Sequence, residues 1–540
     1  MKSASKISRF SQGFWALLVI LGLGTLCPCL LGAQAVRIGN GDEPQGLDPH
    51  LVSGIPASRI LAALFEGLVR LDPKTLEVLP AAAQSWSVSD DGTVWTFDLH
   101  PRASWSDGRQ LTAQDFVFSF RRMLTPSLAA SYASNLHVIK GARAYHAGES
   151  TDPSTLGVKA IDPQTLEITL EKALPYFLEL IQHTAWYPVP EHVIQKWGPV
   201  NLPNQEWTRA GRLVGNGPFR LTKWTTNHVI RVEAHPHYHT GPAPLTPALE
   251  FFPIANFYTE ERAFADQILH VTNNLPSERI PRLISKNDPT LQLSPDFGVY
   301  YLSLNTTVPP LNDPRVRRAL SHAIDRGSIV RDIRMRGERI ATHLSPPVFD
   351  HYHPPEGPDY NPQLARELLA EAGFPGGQGF PVLKYLFNTS ETHRPIAARI
   401  QTYWKDQLGI TIELVNRDWK AVLKSRSESD FEILRSGWIG DYHDPITFLD
   451  LFTSNSTQNF GGWQNPDYDQ ALAESFTLIN DPEARAAALS RAESILLESS
   501  PLIPIFFYNR AYLLSPDLQG WFDNVMNIPP WRTLHLSTRP

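Results

Sequence analysis

Apolar and polar positions alternate along much of the chain, and the period switches between two and about 3.6 residues, the signatures of strands and helices. Around 85–100, Trp86 and Val88 alternate with polar neighbours up to Asp91-Gly92, a dipeptide suited to a tight turn. Trp95, Phe97 and Leu99 resume the alternation, which predicts a β-hairpin. In the next stretch Thr112 and Asp115 have capping-box spacing, and Phe116, Phe120 and Met123 fall on one helical face. Such an aromatic stripe reads as core rather than as a ligand site.

Further along, the two periods interleave. Asn361 is placed to cap a helix with Pro362 in its first turn and Gly373 at its end. The run 382–388 reads as a strand. It precedes a helix with Ile396, Ile400, Trp404 and Leu408 at i, i+4 spacing, stopped by Gly409. The run 410–416 alternates as the next strand, a short helix follows over 419–425, and Phe-Glu-Ile-Leu at 431–434 reads as another strand. Strands joined by helices predict a parallel-sheet α/β lobe, whose ligands bind beyond the carboxyl ends of the strands.

RSGWIGDYHDP, residues 435–445, lies at such an end. Here Asp441 is expected in a turn with Gly437, Trp438, Gly440 and Tyr442. Glycines admit a ligand's backbone, aromatic rings exclude water, and a partly desolvated carboxylate attracts a cation. In an exported protein this reads as a holder for the amino end of a small ligand. The competing reading is an Asx-turn in which the aspartate caps its own backbone.

Composition narrows the class. Residues 1–35 read as a targeting segment: Lys2, Lys6 and Arg9 precede an apolar run at 14–31, and Ala33-Gln34-Ala35 supplies a small-x-small cleavage pattern. The run is long enough for an anchor, but no stop-transfer cluster follows, so export with cleavage after Ala35 is expected. Both cysteines, Cys27 and Cys29, fall inside this segment, preceded by Leu26 and Pro28 rather than the small residue a lipid anchor requires. The mature chain is thus expected to carry no disulfide, thiol nucleophile or cysteine metal site. Removing the segment takes away three basic residues and no acidic one, moving the net charge from -7 to -10. An acidic chain without a basic run is not built for nucleic acid. No second apolar stretch is long enough to span a bilayer. About five hundred residues exceed one hydrophobic core, so two or more domains are expected, joined by short crossings.

Catalytic motifs do not appear. GxSxG, HExxH, GxxxxGK[ST] and GxGxxG are all missing, and no pair of carboxylates is singled out. His235, His237 and His239 alternate in HPHYH, and Asp350, His351 and His353 form a second group, but neighbouring prolines mark both as loops. No metal and no cofactor is called for.

The strongest signal is a resemblance across the whole mature chain. Blocks at 47–72, 94–123 (VWTFDLHPRASWSDGRQLTAQDFVFSFRRM), 214–224 (VGNGPFRLTKW), 312–326 (NDPRVRRALSHAIDR), 365–374 and RSGWIGDYHDPITFLD occur in order. In these the chain resembles the oligopeptide-binding proteins of bacterial ABC importers, in extracellular solute-binding family 5. The resemblance implies an α/β, two-lobed periplasmic-binding-protein clamshell, type II-like, with an additional inserted domain. Lobe I would comprise 36–65, 189–299 and 509–540, the inserted domain 66–188, and lobe II 300–508. Ligand would be enclosed by hinge closure, its main chain gripped as an added strand and its side chains in hydrated pockets.

By position, the resemblance implies that Asp441 pairs with the ligand's α-amino group and that Gly437 and Ile439 offer backbone hydrogen bonds. Tyr132 becomes an aromatic contact from the inserted domain. Arg435 and Arg426 take a peptide carboxylate, with His393 serving ligands of another length. Ile55, Asn273, Asn274, Asn388, Trp438, Tyr301 and Tyr508 line the cleft. Ser53 and Ser303 stand at or near positions where peptide-binding members carry acids, and Ile439 replaces a cysteine found in some relatives. Fewer negative charges around the ligand amine are therefore expected. The implied partners are short peptides and an inner-membrane ABC permease, and the implied state is a periplasmic monomer without catalytic activity. Alternatives are the same fold holding a murein peptide, haem or a metal chelate, and an exported hydrolase.

Overall fold

The hairpin expected from the first alternating run forms. Ala83–Val88 pairs antiparallel with Val94–Leu99, and Gly92 takes φ 71° in the turn. These strands begin a four-stranded sheet completed by Thr165–Thr169 and Val158–Ala160. The helix Ala113–Leu124 starts at the capping box, where the Thr112 N–H donates to Asp115 Oδ2 at 2.8 Å. It buries Phe116, Phe120 and Met123 completely, each contributing about 1.5–3 kcal/mol.

The computed structural model describes residues 35–537 apart from 53, 204–205, 239, 391, 457 and 479–480, and residues 34–540 form one compact unit. Residues 1–34, with both cysteines and nearly all of the expected targeting segment, and also Ser53 and His239, lie outside the described residues. Among the described residues no helix is long and apolar enough to cross a membrane. A second four-stranded sheet joins the start of the described chain to its middle. Val36–Gly39 lies parallel to Ala248–Phe252, followed by Val229–Ala234 and Phe219–Thr225.

The third sheet has five strands in the order Ile412–Arg417, Leu383–Asn388, Ile433–Ile439, Leu291–Leu304 and Leu502–Leu513. The first three are parallel, because helices His393–Leu408 and Trp419–Ser427 carry the chain back between them. The last two run antiparallel, so the lobe expected to be purely parallel is mixed. These strands arrive from distant chain segments and need no crossover helix. Ile396, Ile400, Trp404 and Leu408 are buried as their spacing predicts, and Gly409 ends the helix at φ 70°. Asn361 caps the Leu364 N–H at 3.1 Å.

Leu291–Leu304 is buried on both faces from Phe297 onward. Val299 and Tyr301 enter one apolar core and Tyr300, Leu302 and Leu304 another. A strand held this firmly is a rigid floor for whatever lies beside it.

Candidate ligand-binding site

The strand containing Ile433 does not stop at Leu434 as the sequence suggested; it continues through both Gly437 and Ile439. Only Gly440 and Asp441 lie beyond it. The glycines here are required by protein neighbours rather than by a ligand. A Cβ on Gly437 would stand 2.5 Å from Tyr508 Oη, and one on Gly440 would fall 2.1 Å from Phe297.

The strand's two edges differ. On one side it pairs with Leu291–Leu304 over seven residues, from Ile433↔Leu304 to Ile439↔Gly298. On the other, Leu383–Asn388 meets it only at Ile433 and Leu434. From Arg435 to Ile439 that edge carries no strand partner. Orientation follows from the bonds at the two ends. The Asn305 N–H donates to Glu432 O at 2.9 Å and the Gly440 N–H to Phe297 O at 2.8 Å, both across the paired edge. Backbone groups of successive strand residues point to opposite edges. Even-numbered positions therefore face Leu291–Leu304, and Arg435, Gly437 and Ile439 direct their N–H and C=O groups to the free edge. Ile439 is 51% exposed there. Such an edge is a template for an added strand.

Asp441 stands at the end of this edge. Its N–H donates to Thr447 Oγ1 at 3.1 Å. Among the described residues, its carboxylate receives no hydrogen bond or cation, and no N–H of its own turn caps it, which removes the Asx-turn reading. The residue is exposed, yet the protein atoms around its carboxylate desolvate it enough to push its pKa up to about 6. Tyr132 arrives from a distant segment. Burial and then the Asp441 charge raise the pKa of its phenol, and its ring lies 4.9 Å from that of His183. Beside Asp441, Tyr442 stacks on Tyr176 at 4.6 Å and 1°, a contact not foreseeable from local pattern because the partners lie so far apart in the chain.

Cations gather toward the other end. Arg435 Nη2 donates to Tyr508 Oη at 2.8 Å, and the guanidinium covers the Tyr300 ring at 4.8 Å. His393 opens its helix with its ring 5.6 Å from Tyr300. Burial, then Arg435 and Arg334, lower its pKa to about 3, so it is neutral in the unliganded protein. Arg426 covers Phe460 at 4.8 Å, and among the described residues no carboxylate forms an ion pair with it. Arg426 Nε, Arg435 Nε, His393 Nδ1 and Asn388 Oδ1 are buried without hydrogen-bond partners. Unsatisfied buried groups are costly, and four of them among the expected site residues point to a ligand that satisfies them.

Other expected residues have different surroundings. The Asn273 and Asn274 N–H groups donate to the Glu260 carboxylate at 2.9 and 3.3 Å. Their side-chain oxygens accept from Arg59 and Arg336 respectively. No contact brings either asparagine to Asp441. Tyr301 is only 8% exposed and packs edge-on to Phe452 at 6.1 Å, making it core. Trp438 is half-buried, its indole N–H 3.5 Å from Thr447 Oγ1. Ile55 is 55% exposed at the start of its helix. Ser303 is buried. The His235 Nδ1–H donates to Gly217 O at 3.0 Å, and the ring lies edge-on to His237. Among the described residues no three His, Cys, Asp or Glu side chains come together as a metal site.

The model for the bacterial extracellular solute-binding proteins, family 5, middle part, matches residues 77–460. The chain belongs to this family. It is 36% identical over 496 residues to the periplasmic oligopeptide-binding protein OppA of Escherichia coli K12, covering 90% of each chain. It is 35% identical over 505 residues to the periplasmic murein peptide-binding protein MppA of the same strain, covering 92% of each. The unliganded open form of MppA superposes with a TM-score of 0.82 at 34% identity, covering 94% of this chain and 98% of that one. The family 5 fold is a two-lobed α/β periplasmic-binding-protein fold. These relatives are binding proteins, and their names place them in the periplasm.

Proposed function

We propose that the chain is a periplasmic receptor that captures short peptides and delivers them to an ABC permease in the inner membrane, with no chemistry of its own. The observation that carries this reading is the free edge of Ile433–Ile439, with an unpaired carboxylate at one end and under-bonded arginines toward the other. A peptide enters as an added strand, hydrogen-bonded to Gly437 and Ile439. Its ammonium pairs with Asp441, and its carboxylate meets Arg435 or Arg426. Asp441 lies six positions beyond Arg435, about 20 Å at 3.3 Å per residue if the extended chain continues. Subtracting the reach of the two side chains leaves room for roughly three to five extended residues.

The reading extends to the rest of the chain. Residues 1–35 act as a leader cleaved after Ala35. Residues 36–65, 189–299 and 509–540 make one lobe, 66–188 an inserted domain and 300–508 the second lobe, and the receptor works as a monomer. The similarity to MppA supports a second, narrower reading in which the peptide is a murein fragment.

Native mass spectrometry of gently purified protein tests both. A ladder of adducts with the masses of ordinary peptides supports the main reading, and a single diaminopimelate-containing peptide the narrower one. Adducts that are all non-peptidic would overturn both.

A further inference from the structure

A second cavity of about 500 Å³ lies apart from every residue of the peptide site. It opens between the Val69–Leu71 strand region, the loop at 242–245 and the segment 528–533. Phe65, Leu71, Ile528 and Trp531 give it apolar walls. This volume is ordinary for a small-molecule site.

The charges in its wall do not balance. Arg70 and Arg532 both line the cavity. Arg70 is half-buried on its strand, its Nε is buried without a hydrogen-bond partner, and among the described residues no carboxylate forms an ion pair with it. Arg532 donates only from Nη1 to Tyr238 Oη, at 2.8 Å, and Gly241 leaves it room, since a Cβ there would stand 2.3 Å from that nitrogen. Three cations of the wall, Arg70, Lys74 and Arg532, stand against two acids, Glu66 and Asp72, and both acids carry other hydrogen bonds. Glu66 accepts from Tyr238 Oη at 2.6 Å and from Thr240, while Asp72 accepts the Lys74 and Thr75 N–H groups. Burial and then the like charge of Arg532 lower the Arg70 pKa, against the opposing pull of Glu66 and Asp72.

We propose that this cavity is a second binding site, separate from the peptide cleft, for a small amphipathic carboxylate whose apolar body fills the walls and whose head group is met by Arg70 and Arg532. Binding is one molecule per chain and does not involve Asp441.

Calorimetric titration of the mature chain with dodecanoate, and with dodecanol as its uncharged counterpart, tests the proposal. Saturable one-to-one binding of dodecanoate is expected, at least tenfold tighter than that of dodecanol. Arg70→Met should weaken it at least tenfold. Ala243→Trp, which changes an exposed residue at the cavity wall, should do the same while leaving the circular dichroism spectrum and thermal midpoint unchanged. Equal affinity for the alcohol would overturn the anion assignment. Absent saturation, or undiminished binding in Ala243→Trp, would overturn the site.

Discussion

Replacing Asp441 by alanine removes the unpartnered carboxylate at the end of the free strand edge. The cost to peptide binding follows from what the side chain experiences before ligand arrives. Desolvation lifts its pKa from the ordinary 3.8 to about 6. That shift corresponds to at most ~3 kcal/mol of penalty on the ionised form, and exposure to solvent screens it to about half. A bound ammonium recovers this and adds its own pairing, so leaving that ammonium without a partner costs about 2–5 kcal/mol. Titration calorimetry at pH 7.5 with a peptide recovered from the protein should therefore show affinity lower by about thirtyfold or more. The same variant should not weaken the unliganded fold. The folded-state pKa lies above the unfolded one, so the penalty on the wild type is full above about pH 6 and gone below 3.8. Asp441→Ala should unfold at an equal or higher temperature than wild type at pH 8, and at the same temperature at pH 3.5. Affinity within threefold of wild type would refute the pairing. A large loss of unliganded stability at pH 8 would refute the account of the carboxylate as strained and unpartnered.

Peptide affinity should fall about tenfold between pH 7 and pH 5 as Asp441 takes up a proton with its pKa near 6, and Asp441→Asn should flatten the profile measured by calorimetry. Because His393 is held near 3, His393→Gln should leave that profile in place. Arg426→Met should weaken binding of a peptide whose carboxylate reaches it by about 1–3 kcal/mol and reduce the preference for a free over an amidated carboxyl terminus, measured by competition. Gly437→Ala should press its Cβ against Tyr508 and break the Arg435–Tyr508 bond, lowering stability in chemical denaturation by about 1–3 kcal/mol.

Local pattern revealed the local elements. The helix carrying Ile396, Ile400, Trp404 and Leu408 was legible because each turn repeats the apolar face, and the Thr112–Asp115 box because its partners are three residues apart. Gly437 and Gly440 concealed the end of the central strand. Glycine is depleted in strands, and the residues that demand it here, Tyr508 and Phe297, are remote in sequence. The free edge was not legible at all, since it depends on how soon Leu383–Asn388 parts from its neighbour. Asp441 was visible as a carboxylate in an apolar setting, and its want of a partner emerged only from the fold. Tyr132 came to attention through family resemblance alone, and the charge of Asp441 felt by its phenol supplies the physical link. Asn273 and Asn274 were read as cleft residues from family resemblance, and the bonds of their backbone N–H groups and side-chain oxygens to Glu260, Arg59 and Arg336 could not be foreseen, because those partners are remote in sequence.

The central claim is that a peptide's ammonium rests on Asp441 at the end of an added strand. A thermodynamic cycle tests it most directly, comparing one recovered peptide with its N-acetylated form on wild type and on Asp441→Ala. The account predicts that acetylation costs wild type as much affinity as the substitution does, and costs the variant almost nothing further. An equal acetylation penalty on both proteins would contradict it.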